Sequence, residues 1–174
     1  MSGYEGDRLV GIARTSLEDF FSGQARDMGD GGGRHGSFVT LRKGGDLRGC
    51  IGYMAPLDTL YRQVYALARQ AAFHDWRFPP LGEDELAKVR IEVSVLSSMK
   101  DIACLDEFVP SRDGILMTCR GHRAVFLAEV ADETGWTKDE MLAALSRKAG
   151  LPPDAYLDAD ASFMTFTSEV FHEV

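Results

Sequence analysis

The sequence lacks any apolar run approaching the roughly 20 residues that cross a membrane as a helix. Its opening stretch, MSGYEGDRLVGIARTS, has no basic start followed by an apolar core, so no secretory leader is expected and the cytoplasm is the simplest location. Cysteine is scarce and odd in number: Cys50, Cys104 and Cys119 lie far apart, with no CxxC pair. That argues against both a disulfide framework and a zinc site. The histidines His35, His74, His122 and His172 are equally scattered, so neither a metal nor another cofactor is expected from pattern, which leaves open a metal site assembled in three dimensions. An excess of basic residues is also missing. A formal net charge of -8 argues against non-specific binding to nucleic acid or anionic membranes, while leaving room for a local pocket that holds a small anion or one nucleotide. No internal repeat or low-complexity segment stands out.

What is present reads as one globular domain, residues 1–174, because 45% hydrophobic and 26% charged residues suffice for a core without staples. A helix is expected after Asp7, with Leu9, Ile12, Ala13, Ser16, Leu17, Phe20 and Phe21 at helical spacing. GDGGGRHG follows a helix and precedes a strand, the reverse of the order a phosphate loop needs, and reads as a flexible connection. SFVTLRK and LRGCIGY flank a GGD turn as a β-hairpin. Pro56 opens a second helix whose buried stripe is Leu57, Leu60, Tyr61, Val64, Leu67, Ala68 and Ala71, with Arg62, Gln63, Arg69 and Gln70 outward. A short EDELAK turn leads into the strand RIEVSVLS, with Ile91, Val93 and Val95 on one face and Glu92 and Ser94 on the other. GILMTCRG and RAVFLAEVA form another hairpin, turning at Gly121 and His122. Thr137 and Glu140 make a capping box for a helix that stops at Gly150, and ASFMTFTSEVF is one last strand. Hairpins with helices between them, and no regular βαβ alternation, indicate an α+β fold with antiparallel sheet.

LRGCIGY holds the most unusual thiol. Strand alternation assigns Leu47, Gly49, Ile51 and Tyr53 to the core face, and Arg48, Cys50 and Gly52 to the other. A guanidinium beside the thiol would favour the thiolate, the nucleophilic form. Gly49 and Gly52 mark either a bulge or a place where something approaches the backbone closely, and Arg48, Gly49, Cys50 and Gly52 together resemble a small anion- or carbonyl-binding pocket. The plainer alternative is a cysteine packed as a small hydrophobe, which is how Cys104 and Cys119 are read.

AFHDWRFPP, residues 72–80, sets His74, Asp75 and Arg77 between a buried helix and a proline stop. His74 is the natural base for a thiol. The alternative is an Asp75–Arg77 pair that ties down the loop while Trp76 and Phe78 anchor it. Glu92, a carboxylate in an apolar strand, is either solvent-facing or a partner for Arg48 in a cleft shared with Cys50. His122, at a hairpin tip, is read as solvated.

Taken together, FVTLRKGGDLRGCIG, AAFHDWRFPPL, IEVSVLS, GWTKDEMLAALSRKAGL and the closing aromatic strand resemble the AMMECR1 domain family, from about Leu9 to Glu173. The match is closest to its stand-alone prokaryotic form, AmmeMemoRadiSam system protein A. That resemblance implies two sub-domains, each of antiparallel sheet and helices, with both chain ends in the larger. It implies LRGCIG (Leu47, Arg48, Gly49, Cys50, Ile51, Gly52) as the functional centre, a Memo-like protein and a radical SAM protein as associates, and a role in modifying a nucleotide or RNA. The chain departs from it at Ala128, where members carry proline, and His74 is less favoured by it than Asp75 and Arg77.

Two functions compete on these grounds. In the first, an enzyme or enzyme subunit uses Cys50 as nucleophile or thiol donor, with Arg48 holding an anion, Glu92 orienting Arg48, and His74 or Asp75 handling protons. In the second, the chain is a non-catalytic scaffold that docks its associates, and LRGCIG is a structural strand. Direct RNA binding would require Arg42, Lys43, Arg48, Arg62 and Arg69 to cluster.

Overall fold

A computed structural model describes residues 3–174. Among these, none of the helices is long and apolar enough to cross a membrane. The chain divides into two compact units: residues through Leu96 with Glu169–Val174, and Ser97–Ser168.

In the first unit a four-stranded sheet has the order β2-β1-β3-β8, built from β1 (Ser37–Lys43), β2 (Asp46–Tyr53), β3 (Val89–Leu96) and β8 (Ser168–His172). Helices α1 (Gly3–Phe21) and α2 (Leu60–Phe73) cover one face. The core between them is aliphatic: Leu9, Ile12 and Leu17 from α1, Leu60, Val64 and Leu67 from α2, and Val39, Leu41, Ile91 and Val93 from the strands. The β3 alternation is therefore present, and so are the expected helical stripes apart from Phe20 of α1 and Leu57, which are exposed. Gly44 and Gly45, with φ of 60° and 86°, make the two-residue turn of the β1–β2 hairpin, where both residues need positive φ.

Boundaries differ from expectation where tertiary contacts replace local signals. α1 begins at Gly3, which places Asp7 inside it. α2 begins at Leu60 rather than at Pro56, leaving Leu57 outside and 66% exposed. The glycine-rich connection explains this start. The carbonyls of Gly33 and Gly31 accept from the N–H groups of Leu60 and Tyr61 at 2.8 and 3.2 Å, satisfying donors that a helix leaves unpaired. Gln63, expected outward, is buried: it donates to the His35 carbonyl and Ser37 Oγ and accepts from the Leu57 N–H. Its amide thereby ties the same connection to the helix.

The second unit has its own sheet, ordered β4-β7-β5-β6, from β4 (Lys100–Ile102), β5 (Gly114–Cys119), β6 (His122–Phe126) and β7 (Ser162–Phe166). Helices α3 (Glu129–Thr134) and α4 (Lys138–Lys148) accompany it, around Phe108, Ile115, Met117, Met141, Leu142 and Leu145. The Thr137–Glu140 capping box opens α4 as expected. The β5–β6 turn falls on Arg120 and Gly121, so His122 starts β6 and is exposed. The stretch expected to extend that second strand instead turns into α3. Ala128 has φ of -58°, within the range of a proline ring, so alanine keeps the backbone that proline would impose. The closing aromatic segment is two strands, not one. It breaks at Thr167, whose N–H and C=O both bond Ser97, and β7 and β8 belong to different sheets. Both sheets are antiparallel throughout the registers observed, and the fold class is α+β.

Candidate functional site

Cys50 lies on β2, an edge strand, opposite Thr40 of β1. The alternation expected across LRGCIGY fails at one place. Gly49 pairs with Leu41 and Leu47 with Arg42, so Arg48 is the extra residue of a β-bulge. Freed from the pleat, the Arg48 side chain is buried and binds Glu85 through two nitrogens, Nε at 3.2 Å and Nη2 at 2.9 Å. Lys43 reaches the same carboxylate at 2.9 Å. Arg48 is thus not the cation that faces Cys50. The reading of Gly49 and Gly52 as openings for a ligand is also corrected. A Cβ on Gly49 would collide with the Ala71 carbonyl oxygen, and one on Gly52 with the Phe38 ring and the Ser37 carbonyl oxygen. Both glycines serve internal packing.

The arginine that does reach Cys50 is Arg77. Asp75, 4% exposed, accepts from the Cys50 N–H at 3.0 Å and from Arg77 Nε and Nη2 at 3.0 and 2.7 Å. Arg77 Nη2 also donates to the Cys50 carbonyl at 3.3 Å. The Arg77 guanidinium, followed by the Cys50 and Arg77 N–H groups, holds the Asp75 carboxyl well below the usual range against the cost of its burial. Asp75 is therefore a fixed carboxylate that orients a strand and an arginine, not a proton carrier. His74 caps the end of α2, is exposed and makes no hydrogen bond to Cys50. Trp76 does not anchor the loop: it is 90% exposed.

Glu92 also has a different partner from the expected one. It binds Arg42 at 2.9 Å and lies 3.5 Å from His172 Nδ1. Thr40 pairs with Cys50 on one side and Glu92 on the other, so thiol, hydroxyl and carboxylate form a row across β2, β1 and β3, and His172 extends it. Strand spacing of about 4.8 Å puts the backbone of Glu92 roughly 10 Å from that of Cys50. Among the described residues neither Glu92 nor His172 is hydrogen-bonded to the thiol, so no cysteine–histidine dyad is formed along this row.

Cys50 itself is half-buried, and its Sγ lies 3.2 Å from Thr40 Oγ1. Burial pushes its pKa up, and the Thr40 hydroxyl and the charges of Arg77 and Arg42 offset this only in part, while Asp75 adds to it. The thiol therefore holds its proton at neutral pH. Alkylation by iodoacetamide at pH 7 should be slower for Cys50 than for Cys104, which is exposed, and should climb with pH through a midpoint above that of a free thiol. Peptide mapping of the labelled sites measures both; fast labelling of Cys50 at pH 7 would refute the neutral thiol.

Thr40, Glu85 and His172 were missed from sequence, because nothing local marks a partner that is brought in by strand register or by a distant turn. The other cysteines separate. Cys104 is exposed rather than packed, while Cys119 is buried, its Sγ 3.8 and 3.6 Å from carboxylate oxygens of Asp158 and Asp160. Asp158 also pairs with Arg120, and burial followed by the two carboxylates pushes the Cys119 thiol up.

Comparison with known proteins finds similarity along nearly the whole chain. The AMMECR1 family model matches residues 10–171. A protein of Methanothermobacter thermautotrophicus is 38% identical over 181 residues, spanning 97% of this chain and 94% of its own length. One from Thermococcus onnurineus is 37% identical over 184 residues, spanning 97% and 90%. The crystal structure of an uncharacterized protein from Pyrococcus horikoshii superposes with a TM-score of 0.85 at 33% identity, covering 97% of this chain and 91% of that one.

Proposed function

This chain belongs to the AMMECR1 family, and from that premise we propose that it is an enzyme subunit that presents the neutral thiol of Cys50 to a small molecule or nucleotide. It acts in the cytoplasm with a Memo-like protein and a radical SAM protein, the associates implied by its likeness to AmmeMemoRadiSam system protein A. The observation that carries this reading is the Asp75–Arg77 clamp. It fixes the backbone of Cys50 at both its N–H and its C=O, while Sγ has a single polar partner among the described residues, Thr40 Oγ1. A reactive group on an immobilised backbone is what a pre-organised site requires. Anion holding passes from Arg48 to Arg77, whose Nη1 has no hydrogen-bond partner among the described residues.

The test has two arms. Nucleoside monophosphates should raise the melting temperature of the wild-type protein, and Arg77→Ala should abolish the rise. Reconstitution with both associates should form product with wild type and lose at least tenfold in rate with Cys50→Ser. Full activity in Cys50→Ser would sink the catalytic role of the thiol.

The scaffold reading is favoured by the buried Arg48–Glu85 pair and the packed Gly49 and Gly52, which make much of LRGCIG structural. It expects no nucleotide effect, and capture of both associates at equal yield by wild type and Cys50→Ser.

A further inference from the structure

The free edge of β2 poses a separate problem. Cys50 stands opposite Thr40, yet its N–H and C=O bond the side chains of Asp75 and Arg77, so these backbone groups point away from β1 into the open edge. Gly52, two residues on, turns its N–H and C=O the same way by the period of the strand. An edge strand with unpaired donors and acceptors is a template for another strand, and proteins blunt it with charge, proline or bulges. The GCIGY stretch of β2 carries no charge and no proline of its own, the bulge lies before it at Arg48, and the Arg48 side chain is turned away to Glu85. What stands at the edge is one carboxylate acceptor and one guanidinium donor, set on consecutive backbone groups of a single residue. A neighbouring strand would offer the same pair. The clamp is rigid, because Asp75 is buried and also accepts from the Arg77 N–H at 3.2 Å.

We propose that Asp75 and Arg77 substitute for a fifth strand at the edge of β2 and keep that edge from pairing with β2 of a second copy of this chain. The occupant excluded is identified by the edge itself. Antiparallel pairing of β2 with its own copy about Cys50 is self-complementary, since the N–H and C=O of one Cys50 meet the C=O and N–H of the other. The two Cys50 side chains would then share a face, with Cα atoms about 5.5 Å apart.

The experiment compares wild type with Asp75→Ala/Arg77→Ala, both carrying Cys104→Ser to remove the exposed thiol. Sedimentation velocity should show the double variant at twice the wild-type association state. A short bismaleimide should join Cys50 to Cys50 at least tenfold faster in it than in wild type. Where the double variant lacks a native near-ultraviolet dichroism spectrum, Asp75→Leu/Arg77→Met, which removes both the acceptor and the donor at similar volume, takes its place with the same readouts. A folded variant with the wild-type association state and no faster Cys50 cross-linking overturns the proposal. So does doubling without Cys50 cross-linking, which would place the new contact at another edge.

Discussion

Gly49→Ala is expected to cost about 3 kcal/mol of stability, at the upper end for overpacking a core. The added methyl group would meet the Ala71 carbonyl oxygen of α2, and that atom belongs to helix backbone that cannot rotate aside. Relief requires α2 to lift from β2, which would open the contacts of Leu67 and Ala68 beneath it. The denaturation midpoint in urea should fall with little change in slope. Gly11→Ala provides the opposite case. Gly11 lies in α1, and a Cβ there meets nothing within 4 Å. That substitution should stabilise by roughly 0.5–1 kcal/mol, because alanine loses less conformational freedom in a helix than glycine does. Equal effects at the two positions would show that β2 and α2 do not pack as described.

The second large effect belongs to Glu85, the counter-ion of Arg48. Glu85→Gln should destabilise by about 3–5 kcal/mol, because it strands a charge whose side chain is only 10% exposed. Glu85→Gln combined with Arg48→Met should recover much of that loss, since replacing both members of a buried pair by groups of similar volume is often neutral. The same pair sets a pH dependence. The Arg48 guanidinium, followed by the Gly82 N–H and Lys43, lowers the Glu85 carboxyl from 4.5 to about 2 against the opposing effect of burial. A carboxyl depressed on folding contributes stability that is fully present above its unfolded value and lost as pH falls through its folded value. Glu85 therefore supplies roughly 3 kcal/mol that disappears between about pH 5 and pH 2. Asp75, also depressed, loses its share still lower. Urea titrations at pH 7, 4 and 2.5 should show a decline in wild type that is clearly shallower in the Glu85→Gln/Arg48→Met protein. Parallel profiles for the two would remove Glu85 as the source.

The candidate site divides along the same line as these effects. The pairing of Asp75 with Arg77 was legible in the sequence, and Cys50, Asp75 and Arg77 were each singled out there. The roles were not. Arg48 was assigned to the face of Cys50 by strict alternation, and one inserted residue in β2 removed it to Glu85, 37 positions away. Glu92 was paired with that arginine, and strand register gave it Arg42 and His172 instead. His74 was chosen as the histidine beside Asp75 and Arg77, but the histidine on the same row of the sheet is His172.

By itself the sequence determined the α+β class, the stripes of α1 and α2, the alternation of β3, the Gly44–Gly45 turn and the Thr137–Glu140 cap. Each of these depends on side-chain period, turn dihedrals or hydrogen bonds spanning three or four residues, so the chain carries its cause locally. Only the tertiary structure decided the bulge at Arg48, the start of α2 under the glycine-rich connection, the break at Thr167 and the partners of Cys50, Glu92 and Asp75. Those depend on which distant segment fills a neighbouring position, and a charged or polar side chain is satisfied equally well, as far as its own stretch of chain can show, by any partner of complementary charge.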